Sequence, residues 1–75
     1  MKKSDFIKEL EDIFTLQEGT INESSTLREL DVDSIGMLLL VTFFVNNIGI
    51  EVDIDELRKA QTIQDIITLT NGKVL

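Results

Sequence analysis

The sequence predicts an all-α fold: a small four-helix bundle of three longer helices and a short third one, with a long loop between the first two. Three observations carry this. Phe6, Ile7, Leu10, Ile13 and Phe14 recur at the i, i+3, i+4, i+7 spacing of one helix face. Residues that cap helices stand ahead of apolar runs at Ser4, Asp33, Asp53 and Thr62. Strand-like alternation is confined to Ile48, Ile50 and Val52, a stretch that reads as loop rather than sheet.

Taken in order, Ser4 is the expected cap of the first helix, with Asp5 near its positive end and a stop near Phe14 to Leu16. The long connection that follows holds Gly19, Asn22, Ser24 and Ser25. Within it Thr26-Leu27-Arg28-Glu29 has capping-box spacing, and Ile21, Leu27 and Leu30 can pin the loop to a core. The second helix starts at Asp33 or Ser34 and runs to about Ile48, where Asn46-Asn47-Ile48-Gly49 suits a C-terminal stop. Asp53 caps the third helix, Glu56 completes a box, Leu57 points inward, and the helix fades near Ala60. Thr62 and Asp65 repeat the arrangement for the last helix, whose Ile63, Ile66, Ile67 and Leu69 face the core and which Asn71-Gly72 closes.

Seventy-five residues suffice for one domain, spanning 1–75, with a modest core; a chain of this size buries only about 60% of the surface its unfolded form exposes. The chain has no Cys and no His, so it lacks a thiolate nucleophile and the commonest general base, and the expectation is that it is not an enzyme. Lys2 and Lys3 are followed by charged residues rather than the apolar core of a signal peptide, which reads as an unprocessed, cytoplasmic protein. The run Ile35 to Val45 is uncharged but far shorter than the roughly 20 residues that span a bilayer.

The net charge of −7 repels nucleic acid and anionic membranes and favours a partner with a basic face. Between Arg28 and Arg58 lie Glu29, Asp31, Asp33, Glu51, Asp53, Asp55 and Glu56, with no Lys or Arg among them. The same acids also serve as a solvating surface. No metal site is expected: Asp31-x-Asp33-x-Ile35-Gly36 resembles part of a calcium loop, but Ile35 and Thr42 stand where oxygen ligands belong.

The functional signal is Asp33-Ser34-Ile35, after a loop and at the head of a helix. Asp-Ser is an ordinary capping pair, yet a hydroxyl at this place can carry a phosphate, because helix N-termini present free N–H groups and a positive dipole end. The tripeptide, the helix order around it, Gly49-Ile50-Glu51-Val52 and Thr62-Ile63-Gln64-Asp65 together resemble the acyl carrier protein family over nearly the whole chain. The resemblance implies 4'-phosphopantetheine attached at Ser34 by a phosphopantetheinyl transferase using coenzyme A and Mg²⁺. It implies a role for Asp33 in transferase or metal recognition, and a monomer passing thioester cargo among acyl-loading and acyl-transferring enzymes. The rival is an unmodified helical interaction module of the same fold.

One departure from the fatty-acid type bears on pathway. Positions where that type carries docking acids are here Gly36, Leu39, Val45 and Asn46, which points to a specialised lipid, polyketide or aminoacyl pathway. On a wheel at about 100° per residue, Met37, Leu40, Val41, Phe44 and Ile48 share a core sector. Ile35, Leu39, Thr42 and Asn46 lie opposite, with Leu38, Phe43 and Val45 on the flanks. Ile35, Leu39 and Phe43 beside Ser34 form the expected partner patch, joined by the acids Asp55 and Glu56 of the third helix.

Overall fold

The computed structural model describes residues 1–75. Four α-helices follow one another: α1 (Lys3–Ile13), α2 (Ser34–Phe43), α3 (Ile54–Lys59) and α4 (Ile63–Thr68), with a π-helical turn, Phe44–Ile48, continuing α2. There is no sheet, only an isolated antiparallel bridge between Thr26 and Thr62. No helix is long and apolar enough to cross a membrane.

Phe6 and Leu10 of α1 are fully buried, as the periodicity requires. Ser4, however, is not the cap; that position falls two residues earlier, on Lys2, which makes no side-chain cap, and α1 starts at Lys3. The amide of Lys3 donates to the carbonyl of Leu75 at 2.8 Å and Leu75 donates back to Met1 at 2.9 Å, so the first helical N–H is paired by the tail, and the amide of Phe6, which a Ser4 cap could have taken, already bonds the carbonyl of Lys2 at 2.9 Å.

The long loop is held at both ends. Ile21 and Leu27 are buried and Leu30 is half-buried, as their apolar character predicts. A second restraint comes from Glu11, a buried acid of α1 whose carboxylate accepts the amide of Ile21 at 3.0 Å. Beyond that, Leu27 donates to Gln61, Ile63 to Ser25 and Gln64 to Glu23, which ties the loop to the start of α4. The Thr26–Glu29 box forms in both directions, at 2.7 and 3.1 Å, and closes one short turn, as its spacing predicts.

In the core the Phe6 ring lies 5.8 Å from that of Phe43 and 6.2 Å from that of Phe44, in tilted and edge-on arrangements favoured by aromatic quadrupoles. Leu40, Leu57, Ile63 and Ile66 close around them. Phe43 is therefore corrected from partner patch to core: it is 7% exposed. The buried stripe of α2 is Gly36, Leu40, Phe43 and Phe44, while Met37, Val41 and Ile48 are only half-buried. The helix is turned so that the Gly36–Phe43 side meets α1, because packing two Phe rings on Phe6 buries more apolar surface than centring the smaller Val41.

The other termini follow their chemistry with one exception. The amides of Gly49 and Ile50 both reach the carbonyl of Phe44, and Gly49 takes φ 82°, the left-handed stop expected of glycine. Asp53 caps α3 by accepting the amide of Asp55, but Glu56 does not complete a box; its carboxylate lies 3.8 Å from Lys59. For α4 the box is complete: Thr62 accepts from Asp65, and the Asp65 carboxylate accepts the amides of Gln61 and Thr62 at 2.9 and 3.1 Å. The helix stops at Thr68, and Asn71 and Gly72, both at positive φ, close the turns that follow it.

Two stability outcomes follow. Phe43→Ala should cost about 3–5 kcal/mol in equilibrium urea denaturation, whereas Leu38→Ala on the same helix should stay within about 0.5 kcal/mol; equal small costs would place Phe43 on the surface. The backbone amides of Gln61 and Thr62 hold the Asp65 carboxyl below its ordinary value of 3.8. A depressed folded value means stability that is full above that value and lost as pH falls through the folded one. Thermal melting should therefore show Asp65→Asn less stable than wild type near neutral pH, with the gap closing below pH 3.8.

Candidate functional site

The first turn of α2 is set by Asp33, whose extended backbone (φ −98°, ψ −175°) turns the chain into the helix and whose Oδ1 accepts the amide of Gly36 at 2.8 Å. The amides of Ser34 and Ile35 are left without helical partners, as helix geometry dictates. Ser34 itself is exposed at the head of this ten-residue helix. Its hydroxyl thus stands at the positive end of a helix beside free N–H groups, an arrangement that suits an esterified phosphate.

Gly36 is buried, not on the outer face where the family resemblance places a docking position. A Cβ there would stand 3.1 Å from Val32 Cγ1 and 3.4 Å from Phe14 Cδ1. The missing side chain lets the turn before α2 and the end of α1 approach the helix closely. Asp31, two residues before the cap, adopts φ 59°, a left-handed conformation that Asp tolerates better than most residues.

Of the expected partner residues, Ile35 and Leu39 are exposed, at 67% and 47%. Phe43 is not among them, for the packing reason given above. Sequence reasoning left two others on the flanks: Leu38 is 61% and Val45 47% exposed, so the outward apolar ridge is Ile35, Leu38, Leu39 and Val45. Its signal was present, since Ile35, Leu38, Thr42 and Val45 are spaced i, i+3, i+7, i+10. Asp55 and Glu56 are exposed and sit near the i+3 cations Arg58 and Lys59, at 3.9 and 3.8 Å. Surface pairs of such length contribute little and leave both acids available to a partner. No group of acidic side chains in the structure is arranged to hold a metal ion.

A family profile described as the phosphopantetheine attachment site matches residues 4–70. The acyl carrier protein of Thermosynechococcus vestitus is 30% identical over 57 residues, which is 76% of this chain and 70% of that relative. No solved structure gives a significant match. The chain belongs to the acyl carrier family of phosphopantetheine-bearing proteins. Its cofactor is accordingly a covalent 4'-phosphopantetheine, and its role is that of a carrier, not an enzyme.

Proposed function

We propose that Ser34 is the attachment point and that residues 1–75 form a single monomeric carrier domain for acyl or related thioesters. The observation that carries this is the exposed Ser34 at the head of α2, on a helix start that Asp33 fixes. The attached group supplies a terminal thiol on which cargo is held as a thioester. The chain's own residues do the rest. Ser34 presents its hydroxyl to the transferase, Asp33 keeps the first turn in place and offers a carboxylate for transferase or Mg²⁺ recognition, and the amides of Ser34 and Ile35 face the phosphodiester. Loading from coenzyme A fits a cytoplasmic location.

The ridge of Ile35, Leu38, Leu39 and Val45 is the docking face for the acyl-loading and acyl-transferring enzymes, and the exposed acids Asp55 and Glu56 of α3 serve the same partners. Four large apolar side chains exposed on one short helix are more than scattered surface hydrophobes, and a contiguous patch of this kind marks partner contact. An apolar face in place of docking acids favours a specialised lipid, polyketide or aminoacyl pathway.

Incubation with coenzyme A, Mg²⁺ and a broad-specificity phosphopantetheinyl transferase should add one phosphopantetheine mass, and Ser34→Ala should abolish the addition while keeping the fold. Absence of any addition under conditions that modify a control carrier would favour the unmodified interaction module. For the face, Leu38→Glu should change folding stability by about 0.5 kcal/mol or less and load normally, yet lower the rate of cargo transfer by its pathway enzymes. Normal transfer by that variant would remove the ridge from the interface.

A further inference from the structure

Gly36 stands in the first turn of α2, two residues after Ser34, and is buried. A Cβ on it would lie 3.1 Å from Val32 Cγ1, 3.4 Å from Phe14 Cδ1 and 3.4 Å from Asp33 Oδ1. The last of these is the oxygen that accepts the Gly36 amide at 2.8 Å. The end of α1, the turn before α2 and the cap itself thus close on one position without a side chain. Both segments that reach it hold a residue in the left-handed region beside the contact: Thr15, next to Phe14, at φ 58°, and Asp31, next to Val32, at φ 59°. For a β-branched residue such as threonine that conformation is an outlier. Strain of this kind persists where the surrounding packing over-determines it, and it collects at functional sites. Glycine inside a helix is itself unfavourable on propensity. Local preferences are therefore overridden at one contact, and that contact adjoins Ser34.

We infer that Gly36 is a positioning residue for the loading of Ser34: its missing side chain lets Val32 and Phe14 seat the capping turn, which aligns the Ser34 hydroxyl and the Asp33 carboxylate for transfer. The inference rests on the carrier reading of Ser34. In loading, Ser34 Oγ bonds to the phosphorus of coenzyme A that bears the pantetheine arm, adenosine 3',5'-bisphosphate departs, and the serine proton passes to a base of the transferase. Phosphoryl transfer depends mostly on aligning the attacking and leaving oxygens, and a displacement of about 1 Å can cost ~10²-fold in rate. With a Cβ at position 36, Val32 must give by a few tenths of an ångström, and Val32 is joined directly to Asp33 in the chain. Because Gly36 is buried, the surface offered to the transferase stays the same.

The test is steady-state loading of the full chain by a broad-specificity phosphopantetheinyl transferase at saturating coenzyme A and Mg²⁺, with the carrier as the varied substrate. Gly36→Ala should stay folded by circular dichroism, since the higher helix propensity of alanine opposes the contact and half-buried Val32 has room to move. Its kcat should fall roughly tenfold, short of the loss that a full ångström can bring, with KM near that of the wild type. Removing the opposing methyl groups in the double variant Gly36→Ala, Val32→Ala should restore most of kcat. A rise in KM at unchanged kcat would report a partly unfolded substrate and overturn the assignment. Wild-type kinetics in Gly36→Ala, a kcat loss that Val32→Ala does not recover, or a Gly36→Ala chain that fails to fold would each overturn it as well, and all leave the carrier reading intact. Failure of the wild-type chain to load at Ser34 would overturn both.

Discussion

Packing of Phe43 and Phe44 against Phe6 is the contact on which the rest of this small fold depends. A fully buried aromatic side chain stabilises by roughly 1.5–3 kcal/mol, a large share of the total for a domain whose buried apolar cluster holds only twelve residues. All three rings sit near the C-terminal end of α2 and anchor it, while at the other end Gly36 packs against Val32 and Phe14 and leaves Ser34 exposed. The same contact sets the rotation of α2. Once Leu40 and Phe43 are inside, Ile35, Leu38 and Val45 have no direction left but outward. The exposed serine and the exposed ridge are thus two consequences of one packing choice.

The loop completes what the rings begin. A connection of this length would scatter the position of Asp33 if it were free, and a cap works only when its carboxylate reaches the first-turn amides. Glu11 ties Ile21 to α1, and the Thr26–Thr62 bridge with its neighbouring backbone bonds ties the middle of the loop to α4. Val32 then packs close to Gly36, which brings the final turn onto the helix it caps. Burying a carboxylate such as Glu11 is costly unless it is hydrogen-bonded, and its bond to Ile21 offsets that cost while fixing the loop.

Much of this was legible in the residues, because capping and periodicity are local. Asp33, Asp53 and the Thr62–Asp65 box each mark a helix start correctly, and Ser34 stands exposed at the head of α2. What failed was set by long-range contacts. Ser4 is a sound cap in isolation, but no local pattern reveals that Leu75 will pair the Lys3 amide and let the helix start ahead of it. The wheel for α2 has so many apolar residues that hydrophobicity alone scarcely chooses a buried side, and the Phe6 ring on another helix makes the choice. Glu11 was invisible for a similar reason: a charged residue on an amphipathic helix reads as solvated until its partner amide, ten positions on, is known.

The electrostatics of the site bear on what must come from outside. Asp33 spends one carboxylate oxygen on the Gly36 amide, and Asp31 stands two residues before it, so a phosphodiester on Ser34, the proposed attachment point, would stand in negative surroundings. The free amides at the head of α2 and the helix dipole favour it, but an effect of about 0.3–1 kcal/mol at an exposed helix end is of the same order as the repulsion from neighbouring carboxylates in water. Between Arg28 and Arg58 the chain supplies no cation to tip that balance. A partner that brings Mg²⁺ or a basic side chain to this end of α2, and apolar groups to the uncharged ridge beyond it, meets both demands of the surface at once. On the proposed reading the uncharged ridge and the acidic head are complementary halves of one recognition surface: the first contributes area that is insensitive to salt, and the second an attraction that weakens as ionic strength rises.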